Sequence, residues 1–343
     1  MTRESTAPTT GANPATDEAQ VTYDVVVVGG GAAGLSGALT LARARRTVLV
    51  VDAGRPRNAP AAHLHGYLSR DGEDPSALLA AGRGEVAAYG GRITQGTVEA
   101  AAPLPGGGFV ARLTDGRDVH ARHLLVTTGL VDELPEVPGV AERWGRDVLH
   151  CPYCHGWEVR DQAVGILATS PMALHQAQMW RQWTEDVTLF LHGSPAPDPA
   201  SLAALDARGV RVVEGRVEAL EIAGDALSGV RLESGETVPC AALVVAPRFT
   251  ARSAVLESLG IETAEQVVDG TVVGTYVPSD PTGATTLPGV RVAGNVTNIM
   301  AQVVVAAAAG VQAAAAINGD LIADEVQRAV AGRPTRQAVV AKG

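Results

Sequence analysis

Four consecutive valines at positions 25–28, with no polar residue between them, open the interpretable part of the chain. Such a run predicts a strand covered on both faces, as in a parallel sheet, since a half-exposed strand would alternate. A glycine turn follows, then a helical pattern over about 33–45, then a second apolar run that ends at Asp52. Asp74 is placed to cap a helix whose first residue is Pro75. The stretch "GGFVARLTDGRDVHARHLLVTTG" alternates as a hairpin turning at Asp115-Gly116 and ends at Thr127-Thr128-Gly129. "LVDELPEVPGVAERWG" follows no period and reads as an irregular, proline-rich crossing. A second strand–helix–strand pattern, "QAVGILATSPMALHQAQMWRQWTEDVTLFLHG", comes next, then short hairpin strands over 210–247. The chain returns to a strand, a turn and a long small-residue helix in "GVRVAGNVTNIMAQVVVAAAAGVQAAAAING".

This order predicts an α/β protein of two Rossmann-like three-layer domains, one inserted into the other. The first domain takes residues 21–131 and 251–330 and the insert takes 132–250. Polar tails are expected at 1–20 and 331–343, and no short tandem repeat is present. Composition adds limits. Of 343 residues 46% are hydrophobic but only 3% aromatic, so the core must be Ala, Val and Leu. A net charge of −10, from 27 basic and 37 acidic residues, argues against nucleic acid or an anionic membrane as partner. No apolar run has the length of an uninterrupted membrane span, and no secretory signal pattern opens the chain. A cytoplasmic protein is expected. Three cysteines (Cys151, Cys154 and Cys240) cannot build a disulfide framework.

Two motifs carry chemistry. Gly29-Gly30-Gly31-Ala32-Ala33-Gly34 fits GxGxxG, follows a strand, opens a helix and precedes an acid, Asp52, at the end of the next strand. Gly29 permits the turn, Gly31 lets a pyrophosphate approach the backbone, and Gly34 lets the helix pack on the strand beside Ala33. The helix N-terminus faces the phosphates and Asp52 takes ribose hydroxyls. A glycine turn without ligand is the bland alternative, and the motif alone does not separate FAD from NAD. The second motif is "HCPYCH", His150 to His155. Zinc would need a second ligand pair that is missing, so no metal is expected. Cys151 and Cys154 are either an inert buried pair or a redox pair. The redox reading is favoured by Pro152 at the first position of a helical turn and by His150 and His155, either of which is placed to move a thiol proton.

Taken together, GxGxxG, the "TTG" strand end, CxxC inside the insert and "VAGNV…AQVVVAAAAG" resemble the low-molecular-weight thioredoxin reductase family over roughly residues 22–330. The resemblance implies that the first motif binds FAD. It places Thr128 and Gly129 near the cofactor, Gly294 and Asn295 near its ribityl and pyrophosphate, and Gln302 and Val303 at the flavin pyrimidine ring. Asn58 and His63 belong to a segment expected to touch the same cofactor. The family usually carries Asp where this chain has Asn295. It also implies a homodimer. One departure stands out. The second nucleotide turn, expected within "VGILATSPMALHQA", has Ala168 and Ser170 where glycines should stand, and the next loop carries His192 with no arginine for a 2′-phosphate. NADPH is therefore not expected. With H-C-x-x-C-H-G, this pattern is similar to the dithiol oxidases of the gliotoxin, holomycin and romidepsin type. The resemblance implies a small dithiol and O2 as partners, with attack on Cys151 and Cys154 passing electrons onward. An NADPH- or ferredoxin-dependent reductase and a non-enzymatic FAD redox sensor remain alternatives.

Overall fold

The computed structural model describes residues 22–170 and 172–333; the expected tails fall almost wholly outside these residues. The chain runs through β1 (Thr22–Val28), α1 (Ala32–Arg43), β2 (Val48–Asp52), α2 (Pro75–Ala88), β3 (Arg92–Gln95), β4 (Val98–Pro103), β5 (Phe109–Leu113) and β6 (Asp118–Val126). It crosses on β7 (Leu130–Glu133) and the single turn α3 (Val140–Arg143). The insert then holds β8 (Val148–Leu149), α4 (Pro152–His155), β9 (Val164–Leu167), α5 (Met172–Trp180), β10 (Val187–Phe190), α6 (Pro199–Ala207) and β11 (Arg211–Val213). A meander of β12 (Val217–Ala223), β13 (Ala226–Leu232) and β14 (Thr237–Pro239) leads to β15 (Ala242–Val244). The return uses β16 (Arg248–Ala251), α7 (Ala254–Glu257), β17 (Ala264–Val268), β18 (Thr271–Tyr276), β19 (Val290–Val292) and α8 (Val303–Ala331).

Two Rossmann-like sheets result. In the first, β3-β2-β1-β6 run parallel, and β6 is long enough to pair β5 along its first half and β19 along its second. The second sheet is parallel throughout, in the order β11-β10-β9-β15-β8. The valines of β1 are completely buried at 25–27, as the unbroken apolar run requires. Asp74 caps α2, accepting from Ser76 N at 2.6 Å, with Pro75 at its start.

The crossing corrects the sequence reading. It is not irregular throughout: Leu130–Glu133 forms β7, antiparallel to β16 at Arg248–Ala251. The outgoing and returning chains thus brace each other between the sheets. By length and composition α8 would suit a membrane span, with mean hydropathy 1.4 over its most apolar window. Its inner face accounts for part of that apolarity: Ala306, Ala307, Gly310, Ala313, Ala314, Ile317 and Leu321 are buried. At Gly310 the helix meets the backbone of Ala33 in α1 so closely that a Cβ would overlap the Ala33 carbonyl. This contact ties α8 to the helix that starts at the glycine turn.

Candidate active site

The glycine turn is built by β1 and its neighbours. Gly29 N donates to Val51 O at 2.9 Å, and Gly29 has φ +105°, so a side chain there would be strained and would meet Thr127 O at 2.6 Å. Gly30 N donates to Asp52 Oδ1 at 3.1 Å, which fixes the acid at the lip of the turn. A Cβ on Gly34 would overlap the Gly29 carbonyl oxygen, so this glycine lets helix lie on strand. Gly31 differs from both. A Cβ there would meet nothing within 4 Å, and the residue borders a large cavity. Bare backbone is thus open to the cavity at Gly31, next to a helix N-terminus whose first N–H groups lack intrahelical partners, an arrangement that suits a phosphate.

The cavity has a volume of about 1390 Å³, more than small-molecule sites usually need. Its wall includes Gly29, Gly31, Ala33, Asp52, Asn58, His63, Thr128, Gly129, Gly294, Asn295, Gln302 and Val303, together with His150, Cys151, Cys154 and His155. Gly34 alone among the expected residues lies behind it, as its packing role explains. Thr128 Oγ1 donates to Arg252 O at 2.7 Å, and Arg252 N donates to Gly129 O at 3.0 Å, locking that turn to the returning chain. Gly294 sits against Ala33, its Cβ direction 3.0 Å from the Ala33 methyl. Asn295 uses its amide: Nδ2 donates to Asn298 O at 3.1 Å and Ala301 O at 2.9 Å. A carboxylate at this position could make neither bond. The segment after β2 is held by Arg57, which forms a two-pronged pair with Asp132 at 2.8 and 2.6 Å. Sequence patterning does not reveal this pair, nor Thr127, whose hydroxyl donates to Val28 O and Gly29 O beneath the turn.

The cysteines sit where β8 leaves the second sheet. Cys151 is the N-cap of α4, with Pro152 at the first helical position. The Cys154 thiol donates to Cys151 Sγ at 2.7 Å. That bond, N–H groups of Cys154 and Tyr153, and the Gln302 side chain lower the Cys151 thiol to about 7 against the opposing effect of burial. Cys154 is pushed well up, because it keeps the shared proton and is partly buried. The reduced pair therefore gives up its first proton from Cys151 and holds the second on Cys154. His150 Nδ1 lies 3.0 Å from Val245 O, and its ring is edge-on to Phe249 at 5.2 Å. Burial holds its pKa below the usual histidine value. Burial also lowers His155, with Glu158 opposing and His65 adding to the shift. Both shifts favour the neutral imidazole, the form that accepts a proton. Tyr153, between the cysteines, is 66% exposed and stands edge-on to Trp183. Met300, also on the wall, is 65% exposed. Among the described residues no three His, Cys, Asp or Glu side chains are grouped to hold a metal ion.

The second turn also faces this cavity, through Thr169 and Ser170. Ala168 is buried; its N–H donates to Phe190 O at 2.9 Å and its carbonyl accepts from Ser194 Oγ at 3.2 Å. Thr169 Oγ1 donates to Ala246 O. His192 turns inward, its Nδ1 accepting from Val217 N at 3.1 Å, and burial lowers its pKa. An arginine does reach this loop from elsewhere: the Arg216 guanidinium lies 3.3 Å from where a Cβ on Gly193 would stand. Glu233 already pairs with it at 3.4 Å.

Comparison with known proteins shows the family. The profile of the family described as pyridine nucleotide-disulphide oxidoreductase matches residues 23–310. A thioredoxin reductase, sirT, of Leptosphaeria maculans is 31% identical over 86% of this chain and 93% of its own. The crystal structure of HlmI superposes with a TM-score of 0.84 at 46% identity, covering 93% of this chain and 98% of that one. The crystal structure of TrxB from Bacillus anthracis gives 0.81 at 28% identity, over 88% and 99%.

Proposed function

The chain belongs to the pyridine nucleotide-disulphide oxidoreductase family, and from that premise we propose that it is an FAD-dependent dithiol oxidase. It closes a disulfide within a small dithiol, with dioxygen as acceptor and hydrogen peroxide as the second product. The observation that carries this reading is the second turn: Ala168 and Ser170 replace the glycines a second dinucleotide would need, and both hydrogen-bonding groups of the buried Ala168 backbone are already engaged. The first turn, by contrast, leaves Gly31 bare toward the cavity. Residues that would hold FAD are Gly29, Gly31, Ala33, Gly34, Asp52, Thr128, Gly129, Gly294, Asn295, Gln302 and Val303, with Asn58 and His63 beside them. FAD, when bound, supplies a carrier that takes an electron pair from a dithiol and yields it to oxygen.

The chain's own residues perform the thiol steps. A substrate thiol gives its proton to His155 or His150 and attacks Cys151 of the oxidised pair, breaking the Cys151–Cys154 bond. The second substrate thiol then displaces the enzyme sulfur and closes the product disulfide. Both enzyme sulfurs are left reduced, and two electrons have entered the pair. One observation favours exchanged roles. The more acidic sulfur is Cys151, which also contacts Gln302 at the start of α8, and the more acidic thiol leaves faster. Attack would then fall on Cys154, beside His155. Trapping the mixed disulfide with a substrate monothiol and mapping it separates the two assignments.

We carry a cytoplasmic homodimer with this reading; Val304, Val311, Ile322, Val326 and Val330 form one exposed apolar stripe along α8 that a second copy would cover. A reductase is the second reading, supported by Arg216 beside Gly193 and by the names of relatives such as sirT. The deciding experiment is anaerobic titration of the flavoprotein, NADPH first and a small dithiol second, followed by oxygen uptake. Flavin bleaching by the dithiol alone, with steady peroxide formation in air, is expected. Bleaching by micromolar NADPH overturns the oxidase. Bleaching by neither, with a cysteine pair that cycles only once, points to the sensor.

A further inference from the structure

Oxidising a dithiol releases two protons. One must leave the attacking thiol before the enzyme disulfide opens, and a proton that the reduced cysteine pair does not retain has to leave the cleft. Next to the pair the first domain sends in a short pinned loop: Leu64 bridges Glu73, with Leu64 N donating to Glu73 O at 2.9 Å and Gly72 N to Leu64 O at 2.8 Å. This loop carries His65. Its Nδ1 lies 3.3 Å from Asp71 Oδ2, while Asp71 Oδ1 accepts from Gly66 N at 2.9 Å, so the ring is oriented from behind. Its Nε2 points to the insert, 3.3 Å from Glu158 Oε1. That contact is an ion-pair approach off the line of a hydrogen bond, and Nε2 is shielded from solvent without a hydrogen-bond partner. Gly66 touches Gln302, its Cβ direction 3.7 Å from Gln302 Oε1, which brings the loop beside the Cys151 contact. His65 and His155 line the same cavity.

We propose that His65, oriented by Asp71, is a positioning residue that together with Glu158 receives the proton His155 takes from the incoming thiol and passes it to solvent. The electron count is that of the exchange already written. A thiolate is oxidised as the enzyme disulfide is reduced; the relay moves only a proton, from RS–H through His155 and His65 to water at Glu158, whose carboxylate is part exposed. The other titratable groups near His65 are His63, its ring 6.3 Å away, and Glu73, already paired with Arg70. The alternative role is a latch between domains, since His65 and Glu158 come from different ones.

The inference rests on thiol–disulfide exchange at the cysteine pair but not on oxygen as acceptor, and the test keeps the two apart. Oxidised flavoprotein is mixed anaerobically with dithiothreitol, quenched in acid, alkylated, and scored by mass for opening of the Cys151–Cys154 disulfide. In His65→Ala, opening at pH 7 should slow about tenfold, a modest share of what general acid–base groups contribute. Added imidazole should restore most of the rate, and His65→Gln should stay slow. Glu158→Gln should slow opening severalfold and enlarge the solvent deuterium effect. An unchanged rate in His65→Ala, a loss that imidazole does not repair, or a His65→Gln enzyme as fast as the unmodified protein each overturns the relay and leaves a latch. If His65→Ala fails to fold, Glu158→Gln decides alone, and an unaltered rate and isotope effect there are fatal. Intact relay behaviour in a protein that never consumes oxygen would condemn the oxidase and spare the relay.

Discussion

Gly31→Ala separates the two jobs a glycine can have in a nucleotide turn. Gly31 has φ −78° and ψ −173°, extended backbone that any residue adopts, and its Cβ direction is open. Shortening the list of unfolded conformers favours alanine by about 0.4–1 kcal/mol. As N-cap of α1, alanine is poorer than glycine by roughly the same amount. The apoprotein's stability should therefore stay within about 1 kcal/mol of the unmodified chain. Binding is different. The new methyl stands in the space a pyrophosphate would take and pushes it off the backbone. Hydrogen bonds to a charged group are worth about 1.5–3 kcal/mol each, so losing two costs about 3–6 kcal/mol. That is roughly 10²- to 10⁴-fold in Kd. The assay pairs urea denaturation of flavin-free protein with FAD binding followed by flavin fluorescence. FAD bound by Gly31→Ala at unaltered affinity would refute the claim that the cofactor lies over this residue. A flavin-free variant destabilised by well over 2 kcal/mol would refute the claim that the site is open.

Three further outcomes are expected. Gly34→Ala drives a methyl into the Gly29 carbonyl and to 2.7 Å from Thr127 Oγ1, so its flavin-free form should lose about 1–3 kcal/mol or more in the same urea assay; an unmoved midpoint would contradict the close packing. Asn295→Asp removes two donated hydrogen bonds inside the 295–301 turn and should cost about 1–3 kcal/mol in denaturation, even though the resembled family carries Asp there; no loss would show the bonds to be idle. In the reduced enzyme, iodoacetamide should modify Cys151 along a titration centred at about 7, slow below it because the thiol is protonated and level above it. Cys154→Ala takes away the strongest donor and should move that midpoint upward; an ordinary thiol midpoint of about 8.5 in the unmodified enzyme would remove the basis for the shared proton.

What the sequence reveals of this molecule is whatever is written locally. The valine run, the glycine spacing and the acid at Asp52 lie within thirty residues, and each is a short-range signal of strand, turn or ligand. The same holds for Cys151-Pro152-Tyr153-Cys154, where a proline and a cap define a helical turn in four residues. Long-range pairings are silent. Leu130–Glu133 hides among prolines because its partner strand, Arg248–Ala251, lies over a hundred residues away and the pairing leaves no periodic trace in so short a piece. Arg57 with Asp132, and His65 with Glu158, are likewise invisible, because a charged residue on a loop looks alike whether it meets water or a partner.

The second turn shows why this difference matters for function. From the sequence, the loop after β10 lacks any arginine, and that absence and the missing glycines look like two independent losses. In three dimensions only the glycine loss stands unqualified, because Arg216 arrives beside Gly193 from the start of β12. A lone guanidinium already paired with Glu233 is weak provision for a phosphate: drawing it away means breaking an exposed ion pair worth under about 1 kcal/mol, so charge is not the barrier. On the proposed reading the barrier is at Ala168, which is buried with its N–H bonded to Phe190 O and its carbonyl to Ser194 Oγ. If restoring glycine at positions 168 and 170 together let NADPH bleach the flavin, steric closure of that turn would be the feature that leaves thiols as the source of electrons. If the double variant remained blind to NADPH, the His192 side, where the imidazole is turned inward onto Val217 N, would have to carry the exclusion instead.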